Sequence, residues 1–387
     1  MLPEGWKHAT IESLGAKGKP AVKAGPFGSS LKKEYYKPFG YKIYGQEQVI
    51  SNDENYGDYF IDENKYNELK SCSVSPGDIL ISLVGTIGQT LLLSNSCQQG
   101  IINPRLLRIS LNKDRIIPAY IQYILASNFT QNILKRWAQG GTMGVLNAEM
   151  IKTFPILLPP LPEQKKIAAI LSTWDRAIEG AEKLLANSQQ QKKALMQQLL
   201  TGKKRLPGFT GDWKKKTLSN VCQIKTGKKD VNEGCENGGY PFFTCAKQHT
   251  FSENYSYDCE AILIAGNGEV GKTHYYNGKF EAYQRTYILS DFTNISVFFL
   301  LHFIEFFLPL DISKEKQHGA MPYIKLGTLK DFSVLTPPLP EQQAIAAVLS
   351  TADEEITAIE SDLTRLRQEK KALMQQLLTG KRRVAVD

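Results

Sequence analysis

Pro159-Pro160-Leu161-Pro162-Glu163-Gln164 opens a block that closes on Lys192-Lys193-Ala194-Leu195-Met196-Gln197-Gln198-Leu199-Leu200-Thr201-Gly202-Lys203. The same block returns as Pro337-Pro338-Leu339-Pro340-Glu341-Gln342 through Lys370-Lys371-Ala372-Leu373-Met374-Gln375-Gln376-Leu377-Leu378-Thr379-Gly380-Lys381. Both ends of the block are displaced by 178 residues, so the copies align without a gap. A long segment written twice in one chain marks a pseudo-dimer, and whatever lies between the copies is expected to come in two halves.

The opening prolines cannot lie inside a helix, because proline lacks a backbone donor and disfavours helical geometry in the residue before it. Pro162 and Pro340 suit a first helical turn, with Glu163 and Glu341 beside the positive helix end. Downstream the apolar positions step by three and four. In the first copy they are Ile167, Ile170, Trp174, Ile178, Ala181, Leu185, Ser188, Leu195 and Leu199. In the second they are Ile345, Val348, Ala352, Ile356, Ile359, Leu363, Leu366, Leu373 and Leu377. This is a heptad-like seam. Gly202 and Gly380 supply stop signals, each followed by three basic residues that favour the negative helix end. Each helix should run for about forty residues, roughly 55–60 Å at 1.5 Å per residue. A helix of that length with a narrow apolar seam needs a partner, and the other copy is the obvious one.

Composition sets broad limits. A chain of 387 residues has room for two or more domains with their own cores. The net charge of +8 suits a polyanionic partner without requiring one. Six cysteines form no CxxC pair; Cys235, Cys245, His249 and Cys259 lie close together in sequence but match no standard zinc spacing. Free thiols in a reducing compartment are the plainer expectation. The N-terminus has no apolar signal core. The longest apolar run, Val297 to Leu308, is too short to span a bilayer and carries Glu305 and His302, so it reads as a core helix of a soluble, cytoplasmic protein.

The segments before the two helices also correspond, more weakly. Trp6-Lys7-His8-Ala9-Thr10-Ile11 matches Trp213-Lys214-Lys215-Lys216-Thr217-Leu218, and Asp78–Gly88 matches Ala261–Gly271. Short β-branched runs bounded by Gly, Pro and Asn predict small β-rich globules with a few helices. Between these anchors the halves differ freely, as expected of two readers of one ligand class with different specificities. Two motifs invite enzymatic readings. Gly266-Asn267-Gly268-Glu269-Val270-Gly271-Lys272-Thr273 fits the phosphate-loop pattern, but His274–Phe280 reads as strand and turn rather than the helix such a loop must open, and the twin at Gly85–Thr90 lacks the lysine. Asn103-Pro104-Arg105-Leu106 only hints at an amino-methyltransferase motif, and no methyl-donor loop accompanies it.

The duplicated Pro-Pro-Leu-Pro-Glu-Gln entry and Lys-Lys-Ala-Leu-Met-Gln-Gln-Leu-Leu-Thr-Gly-Lys exit, with the Gly25-Pro26-Phe27-Gly28-Ser29-Ser30 loop and the Asp78–Gly88 element, resemble the specificity subunits of type I restriction–modification systems over nearly the whole chain. The resemblance implies an α+β protein in which target-recognition domains at 1–158 and 206–336 alternate with helices at 159–205 and 337–383. Those helices would pair as an antiparallel coiled coil with pseudo-twofold symmetry. It further implies a non-catalytic subunit that reads a split site on double-stranded DNA. Two modification subunits would supply the S-adenosylmethionine chemistry, and motor-nuclease subunits, where present, would use ATP and Mg²⁺; no cofactor or metal is expected on this chain. Candidate DNA contacts are Lys23, Ser29, Ser30, Lys32, Gln46, Arg105 and Thr142 in the first half. In the second they are Lys225, Lys228, Lys247, Asn267, Gln284, Arg285, Lys316 and His318. Arg105 and Arg285 stand in corresponding places, and arginine can bind guanine bidentately. The competing readings are a modification-only complex, a nucleotide-dependent enzyme using Lys272, and a scaffold coiled coil without a nucleic-acid role.

Overall fold

The computed structural model describes residues 2–140, 146–315 and 323–385, with the side chains of residues 139, 140, 314 and 315 left aside. The chain forms two compact units, Met1–Gly180 with Leu363–Asp387, and Ala181–Asp362. The division falls inside both long helices, Leu161–Leu199 and Leu339–Leu378. Each unit therefore holds one globule, the leading part of the helix that follows it, and the trailing part of the other helix.

In the first unit, antiparallel strands Val22–Ala24, Leu106–Ile109, Ile79–Ser82 and Thr90–Leu92 lie side by side in that order. A second sheet sets Tyr41–Tyr44 between Phe60–Ile61 and Gly100–Ile102. In the second unit, six strands form one sheet, with Tyr257–Ala265 flanked by Thr286–Ser290 and Thr273–Ala282. The apolar run at 297–308 is indeed a core helix, Val297–Glu315, with Phe299, Leu300, Ile304 and Leu308 wholly buried. Each globule is closed by pairing its first strand with its last: Lys7–Thr10 with Pro155–Leu158, and Lys214–Thr217 with Ser333–Thr336. The chain then passes directly into a long helix.

The repeated hexapeptide ties these parts together by charge and hydrogen bonding. In the second unit the Arg205 guanidinium grips the Glu341 carboxylate with two bonds of 2.6 Å each. In the first, Arg383 holds Glu163 at 2.8 and 3.0 Å. Both carboxylates are buried, at 1% and 0% exposure for Glu163 and Glu341. The neighbouring glutamines work as clamps. Gln164 accepts from the Ile117 N–H at 3.0 Å and donates to the Pro159 carbonyl at 3.0 Å. Gln342 accepts from the Ser296 N–H and donates to the Pro337 carbonyl, both at 2.8 Å. Each glutamine thus fixes a domain helix at its entrance, Pro118–Ala126 in one unit and Val297–Glu315 in the other. The arginines reach back because each long helix ends on a left-handed glycine, Gly202 at φ 69° and Gly380 at φ 71°. Past these glycines Lys204 N–H bonds the Gln198 carbonyl, and Arg382 N–H the Gln376 carbonyl, both at 3.1 Å.

The helices run antiparallel within each unit. Lys192 pairs with Asp353 in one and Lys370 with Asp175 in the other, the same contact displaced by 178 at both ends. Tyr123 also donates to Asp175 at 2.6 Å. Its counterpart in the second unit is His302, whose Nδ1 lies 3.7 Å from Asp353.

The apolar seam departs from the expected one in register. Ile167, Ile345 and Leu363 are buried, and Trp174, Ile178, Leu185, Ile356 and Ile359 are half-buried along the helices. Val348, however, is exposed, and Ile170 is only half-buried; the buried residues beside them are Leu349 and Leu171, each at 0%. Steps of four, three and four through 167, 171, 174 and 178 keep the alternation of a 3.5-residue repeat, whereas passing through 170 gives three, four and four. The same holds for 349 against 348, and Leu171 and Leu349 also join the cores of their globules. The trailing ends leave the seam altogether. Leu199, with Met196 and Leu200 and partly buried Leu195, packs into the second globule's core, whereas Leu377, with Leu378 and partly buried Leu373, packs into the first.

Two expectations follow. Leu349→Ala should lower stability by about 2–5 kcal/mol, whereas Val348→Ala should stay within about 0.5 kcal/mol; chemical denaturation of the two variants checks the register. Arg205→Ala leaves the buried Glu341 carboxylate without its partner and should lower stability by about 3 kcal/mol, with the loss of hydrogen-exchange protection confined to residues 181–362.

Candidate nucleic-acid interface

Loops of each globule gather at one end of its sheet, where strands held by hydrogen bonds give the irregular chain a rigid base. In the first unit, Gly25 lies against the Asn103 carbonyl so closely that a Cβ there would come within 1.9 Å of it. Gly25 N–H bonds the Leu106 carbonyl at 3.0 Å, and Leu83 N–H bonds the Arg105 carbonyl at 3.0 Å. Asn103 N–H bonds the Tyr44 carbonyl at 2.9 Å, bringing in Gly45 and Gln46. The Gln46 amide donates to the Val84 carbonyl.

The second unit repeats the backbone bonds of this scaffold. Gly227 N–H bonds the Thr286 carbonyl at 3.0 Å, and Gly266 N–H bonds the Arg285 carbonyl at 2.9 Å. Gly25 is therefore the counterpart of Gly227, Leu83 of Gly266, and Arg105 of Arg285. Both arginine side chains are exposed. The glycine-rich run from Gly266 to Lys272 is the turn of an antiparallel hairpin joining Tyr257–Ala265 to Thr273–Ala282. Gly268 and Gly271 take positive φ of 60° and 81°, matching Gly85 and Gly88 at 68° and 81°. No helix follows this run, so it lacks the N-terminal amides with which a phosphate loop cradles its ligand. Among the described residues no three His, Cys, Asp or Glu side chains are grouped to hold a metal, and no helix is long and apolar enough to cross a membrane.

The structure gathers most of the candidate residues at these two loop clusters. Gln46 and Arg105 adjoin the Gly25–Ser30 loop, where Ser29 is exposed and Ser30 half-buried in a short 3-10 turn. Lys23 precedes the loop on strand Val22–Ala24. Lys32 is exposed and faces Glu34 at 3.7 Å. In the second unit, Lys225 lies in strand Gln223–Thr226, and exposed Lys228 follows Gly227, whose missing Cβ makes room for the Ala282 and Tyr283 carbonyls. Lys247 follows Cys245, whose carbonyl accepts from Glu269 N–H at 3.0 Å and so adjoins Asn267. Gln284 is exposed and lies 3.5 Å from Asp230. Thr142, Lys316 and His318 lie outside the described residues. Around Arg105 the phenol of Tyr36 is held above its ordinary range, chiefly by burial and then by Glu47 and Tyr59, with Arg105 pulling the other way. Near the second hairpin, burial first and then Lys272 and His249 favour the neutral form of His274.

A small hollow of about 280 Å³ opens beside Arg285, lined by Gly266, Gln284, Tyr287 and Ile324. Leu83 takes the place of Gly266 in the first unit, so the two loop clusters differ in side chain at this point of a shared backbone. Sequence reasoning passed over Gln164, Gln342, Arg205 and Arg383. Their identity at a constant displacement was the available signal, and it pointed to assembly of the frame rather than to the ligand.

Comparison with known proteins follows the same lines. The family model described as the type I restriction modification DNA specificity domain matches residues 3–187 and again 210–366. The specificity subunit of the type I restriction enzyme EcoDI from Escherichia coli is 34% identical over 171 residues, which is 43% of this chain and 37% of that subunit. The MjaVIII specificity subunit from Methanocaldococcus jannaschii is 26% identical over 355 residues, 81% of each chain. The crystal structure of the type I restriction-modification S subunit from M. genitalium shares the fold, with a TM-score of 0.66 at 18% identity and 98% of each chain covered. A chain from the type I R-M system, solved in connection with its assembly and conformational transition, gives 0.59 at 19% identity over 99% of this chain and 100% of that one. With two matched domains, a hexapeptide that clamps each to a paired helix, and two equivalent loop clusters, this chain belongs to the family of type I restriction–modification specificity subunits.

Proposed function

We propose that this chain reads a bipartite DNA site for a type I restriction–modification complex, each unit recognising one half. The helix pair sets the unread spacer. The observation that carries this reading is the combination of two scaffolds matched in their backbone hydrogen bonds with loops that differ in almost every exposed side chain. A shared frame keeps the readers in equivalent poses; divergent loops let them read different bases. Phosphate contacts from Lys23, Lys32, Lys225, Lys228 and Lys247 give affinity and position. Arg105 and Arg285 supply base-edge recognition. Two half-sites joined by stiff helices act at high effective concentration, which a flexible tether of the same reach would dilute.

Transfer of the methyl group, from S-adenosylmethionine, belongs in this reading to two modification subunits that bind the equivalent helix surfaces. ATP-dependent cleavage belongs to motor-nuclease subunits. The helix residues identical in both copies yet exposed, including Lys193 and Lys371, Gln197 and Gln375, and Gln198 and Gln376, give two identical partners the same surface twice.

Methylation mapping of host DNA with and without the complex should reveal one asymmetric split motif; an unbroken short motif would overturn the two-reader model. Exchanging residues 206–336 for those of another family member should change one half of that motif only. Arg285→Ala should relax one base pair in that same half by about 1–3 kcal/mol, and Arg105→Ala should do so in the other half, each visible as a degenerate position in the methylation map.

A further inference from the structure

Phe27 is the most exposed of the large apolar side chains described, at 86%. Isolated apolar residues on a surface are ordinary, but this one is held out by a pinned backbone. Pro26 before it is buried, and Leu31 beyond it is only 6% exposed. Ser30 N–H closes a turn on the Phe27 carbonyl at 2.8 Å. Gly25, two residues earlier, is locked against the Asn103 backbone beside Arg105. The ring therefore projects from the rim of the loop cluster on a backbone tied down at both sides. Residues 23–37 around it carry four lysines against one glutamate, and Arg105 adds a further positive charge. An apolar ring set among cations suits a ligand with a charged skeleton and apolar faces stacked inside it. In the second unit, with Gly227 equivalent to Gly25, the place of Phe27 is taken by Lys229, which is paired with Glu233 at 2.7 Å.

We propose that Phe27 is a specificity wedge: its ring enters one base step in the half-site read by the first unit and kinks the duplex there, while the second unit leaves its half unkinked. This rests on the DNA-reading function proposed above. A wedge reads the energy needed to open a step, so it selects easily unstacked pyrimidine–purine steps without a hydrogen bond to either base. The surrounding lysines hold the phosphates on either side and carry no sequence preference of their own.

The test uses the full chain assembled with its modification subunits, on duplexes carrying the motif found by methylation mapping. Exchange of residues 206–336 first identifies which half belongs to which unit, and 2-aminopurine is then placed at successive positions in both halves. The expected result is a rise in fluorescence at one step of the first unit's half and none in the other. Phe27→Ala should abolish the rise and weaken binding to the motif roughly ten- to hundredfold, in line with loss of one stacked base. Binding to random duplex and its salt dependence should not change. Phe27→Leu should keep part of the signal, as a smaller apolar wedge. Phe39→Ala removes a ring that is 79% exposed but lies beyond the opposite end of strand Tyr41–Tyr44 from Gln46, and should change nothing. Phe27→Ala with wild-type affinity and fluorescence overturns the wedge. So does a Phe27→Ala chain that no longer assembles with its modification subunits, which would make the ring a protein contact. A wild-type complex that binds no duplex at all is a different failure, removing the DNA-reading function itself.

Discussion

The grip of an arginine on a buried carboxylate organises each unit of this protein. Glu163 and Glu341 lie at the start of the long helices and are closed off from solvent, so each needs a cation. The cation arrives from just beyond the end of the other helix, Arg383 in one case and Arg205 in the other. Within a unit, the entrance of one helix, the exit of its partner and the entrance to a domain helix are therefore fixed at one place, with Gln164 or Gln342 completing the junction. The bidentate geometry matters as much as the charge, because two parallel bonds fix orientation where a lysine would fix only proximity.

The rest of the frame reinforces that junction. Asp175 with Lys370 and Asp353 with Lys192 hold the antiparallel register farther along the helices. The apolar trailing ends, Met196–Leu200 and Leu373–Leu378, anchor each helix in the core of a globule. A recognition domain therefore lacks part of its own core until a helix end is supplied from elsewhere in the chain. Hydrophobic burial holds each helix end in a core, and the charged junction orients it.

How much of this was legible in the sequence depended on the type of signal. The duplication, the helix extents and the glycine stops could all be read, because each rests on local chemistry and periodicity. The correspondence of Arg105 with Arg285 was also visible, since both follow a glycine-rich hairpin at a similar distance. The seam differs at Ile170 and Val348 because several apolar residues lie side by side there: Ile170-Leu171 and Val348-Leu349 offer either step, and it is Leu171 and Leu349 that the cores of the two globules take up. The glutamate–arginine grip could not be read from local pattern at all. Its partners are 136 and 220 residues apart, and an arginine after a helix stop looks like an ordinary response to the helix dipole. Phe27 lay in plain view within a recognised loop, yet exposure is a property of the folded chain.

The contact between Arg383 and the Glu4 carbonyl, at 3.1 Å, sets the beginning of the described chain beside its end. Within that unit the two ends meet much as the exit of the first long helix meets the second globule at Lys203–Leu206. The first unit thus makes by packing, through the Arg383 grip and this carbonyl bond, the joint that the second unit makes through the peptide chain itself. A noncovalent joint and a covalent one leave the same bidentate geometry around Glu163 and Glu341.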